Sequence, residues 1–127
     1  MKSYTDIKQS RKLAEILPIE SADMWWVERK PVYYLSFTKP SEENYSQDTI
    51  KDIPCWSLAT LLELLDDEIT DEDGYDYNLN IVKESLQYQL YYHDSWGQAE
   101  DIETDYHDDM VDACVEMILK LKEKNLL

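Results

Sequence analysis

The stretch Ile53-Pro-Cys-Trp-Ser-Leu-Ala-Thr-Leu-Leu-Glu-Leu-Leu65 decides the fold that the sequence predicts. Its polar residues are Ser57, Thr60 and Glu63, which recur every three positions. On a helix this spacing gives one narrow polar stripe and leaves nearly all the remaining circumference apolar. Because such a helix has to be surrounded by other elements, we predict a buried central helix over 53–65.

The predicted central helix has a recognisable start and a length that suits a protein interior. Pro54 fits a first helical turn, where a missing N–H group costs nothing, and Asp52 can cap that turn. The helix is too short to cross a membrane, which takes about 20 apolar residues. The chain has 127 residues, the usual length of one domain. We therefore predict a single domain over 1–127, organised around this helix.

Hydrophobic periodicity predicts the elements that cover the central helix. Apolar residues at helical spacing indicate a helix over 5–17, and alternation in 32–37 indicates a short strand. The polar stretch 39–51 is typical of a surface loop. A last helix from about His107 or Asp108 to Lys124 begins with acids and ends with lysines, as the helix dipole favours. The predicted class is α+β, with the central and C-terminal helices packed on an antiparallel β-hairpin or small sheet.

Two alternating runs, 75–81 and 86–92, predict the β-hairpin. A two-residue loop at Glu84-Ser85 lacks the glycine or asparagine that tight hairpin turns prefer. A three-residue loop would place apolar residues opposite polar ones, which a half-buried sheet forbids. We therefore predict a four-residue loop, Val82–Ser85. In that register the pairs are Tyr75 with Tyr92, Tyr77 with Leu90, Leu79 with Tyr88, and Ile81 with Leu86.

The formal net charge of −16 is concentrated in one part of the chain. Residues 63–116 carry eighteen acidic residues against one basic residue, Lys83, while the remaining residues are close to neutral in sum. This excess of negative charge disfavours direct binding to DNA, RNA or an anionic membrane.

The predicted hairpin brings two acidic runs together, because the start of its first strand lies beside the end of its second. Both runs should then leave from the open end of the ribbon and share one acidic pole. Its carboxylates would repel one another within a few Debye lengths of about 8 Å and attract cations or a basic partner. The first run is Asp66, Asp67, Glu68, Asp71, Glu72, Asp73 and Asp76, and the second is Glu100, Asp101, Glu103, Asp105, Asp108, Asp109 and Asp112.

Three interpretations of this pole stay open. It can be a solvated face that keeps the protein soluble, or a docking surface for a basic protein, with mimicry of a phosphate backbone as one form. It can also bind a divalent metal through carboxylate oxygens, but an EF-hand loop fails because counting back from Gly74 puts Ile69 at the first ligand position. The candidate metal ligands are Asp71, Asp73, His93 and His107.

Enzymatic motifs are missing from the sequence. Nothing resembles a nucleophile elbow, a zincin helix or a phosphate-binding loop, and the chain has only two glycines. Cys55 and Cys114 lie inside apolar patterns, so we expect buried, reduced thiols of low reactivity. We assign no catalytic residue and no cofactor. The sequence favours a non-enzymatic protein without deciding the question.

Three stretches, ILPIESADMWW at 16–26, IPCWSLATLLELL at 53–65 and VDACVEMILKLKEKNLL at 111–127, carry a resemblance. They resemble a family of small uncharacterised proteins of gut-dwelling anaerobic bacteria, associated with prophage-like or mobile elements. The family has no established activity, so the resemblance implies a bacterial cytoplasmic setting and no functional residue.

Taken together, these patterns predict a small non-catalytic cytoplasmic protein that binds a basic macromolecule, most simply another protein, through the acidic pole. The alternative is a divalent-metal-binding protein or a metal-dependent enzyme that uses the same acids. Neither direct nucleic-acid binding nor membrane binding is expected, and the oligomeric state is left open.

Overall fold

A computed structural model describes residues 1–29, 31–38 and 52–127. The predicted surface loop at 39–51 lies outside these residues. The described part of the chain contains three α-helices, a short 3₁₀ helix and seven strands, which form two antiparallel sheets. The predicted α+β class is therefore confirmed.

The chain divides into two compact units, and the boundary falls within the second α-helix. The N-terminal unit is Tyr4–Thr60, and the C-terminal unit is Met1–Ser3 with Leu61–Leu127. A single domain over 1–127 stays a prediction.

The N-terminal unit combines one helix with a three-stranded sheet. The helix starts at a capping box, in which the Asp6 carboxylate accepts the Gln9 N–H at 2.8 Å and the Gln9 side chain accepts the Asp6 N–H at 3.1 Å. The strand order is β2-β1-β3. The elements are α1 (Ile7–Ala14), the 3₁₀ helix Ile19–Ser21, β1 (Met24–Arg29), β2 (Val32–Ser36) and β3 (Ile53–Cys55).

The predicted helix over 53–65 is wrong in its first third. Ile53–Cys55 forms β3 and pairs with Met24–Trp26 of β1. Pro54 is tolerated there because β3 is an edge strand of its sheet. Asp52 does not cap a helix, since its carboxylate accepts the Glu28 N–H at 3.3 Å.

Helix α2 runs over Leu58–Leu64 and begins at Ser57, whose Oγ accepts the Thr60 N–H at 3.2 Å. The Asp23 carboxylate in turn accepts the backbone N–H and the hydroxyl of Ser57, at 2.8 and 2.5 Å. The predicted burial of this stretch is confirmed, because Trp56, Leu61 and Leu65 are all buried.

The C-terminal unit packs one long helix on a four-stranded sheet of order β4-β5-β6-β7. The last helix begins later than predicted, because buried Asp109 is its N-cap and accepts the Val111 N–H at 2.9 Å. The elements after α2 are β4 (Glu68–Thr70), β5 (Asp76–Glu84), β6 (Gln87–Asp94), β7 (Ile102–Glu103) and α3 (Met110–Glu123).

The predicted hairpin exists, but its register is wrong. The loop is the two-residue turn Ser85-Leu86, with φ values of 50° and 64°. Two left-handed residues cost about 1–2 kcal/mol each, yet this turn shape matches the twist of the strands. It also lengthens the ladder, which pairs more backbone N–H and C=O groups. The observed pairs include Tyr77 with Asp94, Leu79 with Tyr92, Ile81 with Leu90, and Lys83 with Tyr88.

Candidate functional site

A groove of about 430 Å³ lies at the end of the hairpin where β5 begins and β6 ends, which we call the open end. Two separate chain segments bring carboxylates to it, one from the turn between β4 and β5 and one from just before β7. One lysine joins them from the C-terminal end of α3. The groove is lined by Asp71, Glu72, Asp73, Tyr77, Glu100, Asp101, Ile102, Lys124 and Leu126.

Asp71 builds the turn on one side of the groove. Its carboxylate accepts the backbone N–H groups of Asp73 and Tyr75 at 3.0 and 2.9 Å, and the Tyr77 hydroxyl at 3.0 Å. Burial of Tyr77, helped by this carboxylate, raises the pKa of its phenol to about 12, so it stays a donor. Gly74 completes the turn with φ +85°.

Asp94 builds the loop on the other side. It is fully buried at the end of β6, and its carboxylate accepts the N–H groups of Trp96, Gln98 and Ala99 at 3.1, 2.9 and 3.0 Å. Burial alone would raise the pKa of Asp94, but these three donors outweigh it and lower the pKa below its usual value. The charged carboxylate therefore fixes the chain that leads to Glu100.

The second acidic run does not stay at the open end, so the prediction of one acidic pole is partly wrong. Asp101 lies beside His93, with Nδ1 and Oδ1 2.7 Å apart. Asp108 instead accepts a hydrogen bond from Gln87 at 3.1 Å, beside the Ser85-Leu86 turn. The two contacts lie six positions apart along β6, at Gln87 and His93, which is about 20 Å along a strand. The reason is that the chain after Glu100 runs back along β6.

The pairing of residues 102–107 with β6 shows this return path. Ile102 pairs with Tyr92, and His107 forms a bridge with Tyr88 further along the same strand. The groove therefore gathers Asp71, Glu72, Asp73, Glu100 and Asp101. It does not include Asp66, Asp67, Glu68, Asp76, Glu103, Asp105, Asp108 or Asp109.

Several of these other acids have local structural contacts. The carbonyl of Asp66 accepts the Tyr92 hydroxyl at 2.6 Å, and that of Asp67 accepts the Leu79 N–H at 2.9 Å. The Asp76 carboxylate accepts the Thr70 hydroxyl at 2.6 Å. Outside the groove, Asp66 and Asp67 thus contact the sheet through their backbone carbonyls, and Asp76 does so through its carboxylate. Asp112 forms an ion pair with Lys2 at 2.6 Å, and Asp109 accepts the Lys2 N–H at 2.5 Å.

The four candidate metal ligands do not converge. His107 pairs with Glu116 at 2.8 Å, and its bridge partner Tyr88 lies five positions along β6 from His93, a distance of about 16 Å. The Asp71 carboxylate already accepts three hydrogen bonds within and beside its turn. Among residues 1–29, 31–38 and 52–127, no three His, Cys, Asp or Glu side chains are arranged to hold a metal ion. The metal interpretation therefore has no supporting site in these ranges.

Both cysteines are free and buried, as predicted. Desolvation raises the pKa of the Cys114 thiol to about 12, with a smaller contribution from Asp109. Desolvation also raises the pKa of Cys55, although Thr5 and Ser10 partly offset it. Since the thiolate is the nucleophile, neither cysteine suits covalent catalysis.

Sequence reasoning missed Trp96, Asp94 and Lys124. Trp96 is 81% exposed on the loop that Asp94 holds. The signal was available in Asp94-Ser-Trp-Gly97, since aspartate and glycine are typical of turns and a turn exposes the side chain it carries. Lys124 gave no local signal, because only the fold brings the end of α3 to the groove.

No family model, curated protein or solved structure matches this chain. The resemblance to a family of small bacterial proteins stays a prediction. Within the described ranges, no helix combines the length and apolar character needed to cross a membrane.

Proposed function

We propose that this protein acts by binding a basic partner protein in the groove at the open end of the hairpin. The observation that carries the proposal is the convergence of five carboxylates from two separate segments on one concave surface. Concave shape gives a partner side chain a place to enter, while the charge selects which side chain that is.

The electrostatics of the groove favour a cationic partner. The carboxylates lie together in the groove and repel one another. A lysine or arginine side chain of a partner protein would relieve that repulsion. Lys124, which lines the same groove, supports this because it places a cationic side chain among these acids. An anionic partner such as a nucleic acid would meet charge of the same sign and be repelled.

The proposal is tested with a fluorescein-labelled peptide of seven arginines, whose binding is followed by anisotropy at low and physiological salt. The test variant is Glu72→Gln with Glu100→Gln, one acid from each wall of the groove. Both side chains are exposed, so their loss should spare the fold. The matched control is Glu15→Gln with Glu20→Gln, which makes the same change in net charge at exposed residues outside the groove.

We expect the groove variant to bind the peptide about five- to tenfold more weakly, since rim charges contribute a few tenths to about 1 kcal/mol each. The control should stay within about twofold of the native protein, and native binding should weaken as salt rises. Equal losses in the two variants would show that net charge, rather than the groove, attracts the peptide, and would refute the proposal.

A further inference from the structure

Trp96 differs from the other three tryptophans of the chain. Trp25 and Trp56 are buried and Trp26 is half-buried, whereas Trp96 is 81% exposed. The indole N–H groups of Trp26 and Trp56 donate to Thr5 and Ser21. Within the described part of the chain, the Trp96 indole N–H donates to no protein acceptor. A large apolar ring is therefore left mostly in water.

The loop that carries Trp96 is fixed rather than loose. The buried Asp94 carboxylate accepts three of its backbone N–H groups, and the Asp94 carbonyl accepts a fourth, from Gly97, at 2.9 Å. At its other side, the Asn78 amide donates to Ser95 Oγ at 2.7 Å. A side chain presented on such a loop loses little conformational freedom when a partner covers it, which favours binding.

The same loop leads directly into the acidic groove. Glu100, which lines the groove, is four residues beyond Trp96, so their Cα atoms are at most about 14 Å apart. A partner segment of a few extended residues is therefore long enough to span from Trp96 to the rim of the groove at Glu100. Tryptophan is the residue type most enriched at the energetic centres of interfaces, with arginine among its frequent companions.

We infer that Trp96 is the anchor of the basic partner, with its indole face covered by an arginine side chain of a segment that also fills the acidic groove. This inference rests on the proposed function and specifies its chemistry. Tryptophan is the best aromatic partner for a cation, and a planar guanidinium stacks on it where a lysine ammonium cannot. Asp94 is the positioning residue, because it holds the loop without facing the partner.

The test compares peptides of seven arginines and seven lysines against the native protein and two variants. Trp96→Ala removes the anchor. Leu86→Ala is the matched control, since Leu86 is equally exposed, at 81%, at the opposite end of the hairpin. Binding is followed by anisotropy of the labelled peptides, and by the emission of Trp96, the tryptophan that a bound peptide would cover.

We expect Trp96→Ala to weaken binding of the arginine peptide about tenfold and Leu86→Ala to change it less than about twofold. The native protein should prefer arginine over lysine, and Trp96→Ala should reduce that preference. The tryptophan emission of the native protein should move to shorter wavelength on binding, as water leaves the Trp96 indole.

Two outcomes separate this inference from the function on which it rests. If Trp96→Ala binds like the native protein while Glu72→Gln with Glu100→Gln binds weakly, the anchor is refuted and the groove function survives. If neither variant loses affinity, or the native protein does not bind the arginine peptide, both are refuted.

Discussion

The two ends of the β5–β6 hairpin expose an apolar side chain to the same degree but support it differently. Leu86 occupies the turn end in a left-handed conformation that suits glycine better. Trp96 occupies the open end on a loop tied to a buried carboxylate and flanked by an acidic groove. Exposure of an apolar side chain therefore does not by itself indicate a contact surface. A fixed backbone and a charged surrounding make the open end the better candidate.

Replacing Asp94 by Ala should remove the support of the open-end loop, and we expect the largest effect from this change. The change removes the buried acceptor of three partly buried backbone N–H groups, so the loop should lose its shape and the unfolding midpoint in urea should fall. Quenching of tryptophan emission by acrylamide reports the loop, and urea titration reports stability.

Asp73→Ala is the control, because it also removes an acid near the groove but the side chain is exposed. It should leave the midpoint nearly unchanged. An equal midpoint for the two variants would mean that Asp94 does not hold the loop.

Substitutions at the turn end should raise stability instead of lowering it, and we expect an effect of intermediate size. Ser85→Asn with Leu86→Gly supplies the pair that this turn type prefers and should raise the free energy of unfolding by about 1–2 kcal/mol. Urea titration measures the gain.

The matched control makes the same replacement at the open end, Ser95→Asn with Trp96→Gly. Neither residue there has positive φ, so no gain is expected. A gain at both ends, or at neither, would contradict the view that backbone strain is confined to the turn end.

The smallest expected effect concerns pH and Glu116, which joins α3 to the segment beyond β7. Burial would raise its pKa, but the hydrogen bonds to His107 and to the Asp105 N–H, with the charge of Lys120, lower the pKa below the usual 4.5. A lowered pKa means that this stabilisation is complete above about pH 4.5 and is lost as pH falls through the lowered value. Glu116→Gln should therefore reduce stability at neutral pH and flatten the decline in acid.

Thermal melts of both proteins over about pH 3–7 measure this difference. Parallel curves for the two proteins would show that the Glu116 contacts do not contribute to acid stability. Glu123→Gln, an exposed acid on the same helix, is the control and should follow the native curve.

Much of the fold could be predicted wherever apolar residues recur at the spacing of a strand or a helix. The alternating runs located β5 and β6, and helical spacing located α3. The run 53–65 was mistaken for one helix because an almost wholly apolar stretch fits a buried strand as well as a buried helix. Its first residues became β3 through pairing with β1, a contact between residues far apart in sequence.

The hairpin register failed for a related reason. Turn propensity argued against a two-residue loop at Glu84-Ser85, and the observed two-residue turn, Ser85-Leu86, also lacks the glycine or asparagine that such turns prefer. Pairing along the whole ladder outweighed that local preference. Local propensity thus predicted that a turn exists and misplaced it.

The candidate site was predicted in part for the same physical reasons. The hairpin correctly placed 71–73 near 100–101, because antiparallel strands begin and end side by side. The path of 102–109 depended on which strand β7 would pair with, and no local pattern records that choice. The acids at its far end were therefore assigned to the wrong end of the hairpin.

By itself, the sequence determined the α+β class, the strands of the hairpin, the last helix and the concentration of negative charge between residues 63 and 116. These follow from side-chain periodicity and from charges that can be counted along the chain. Only the tertiary structure decided the register, the division of 53–65 into strand and helix, and which acids line the groove with Lys124. Those outcomes depend on pairing between distant segments, where the summed energy of many contacts outweighs the preference of any single residue.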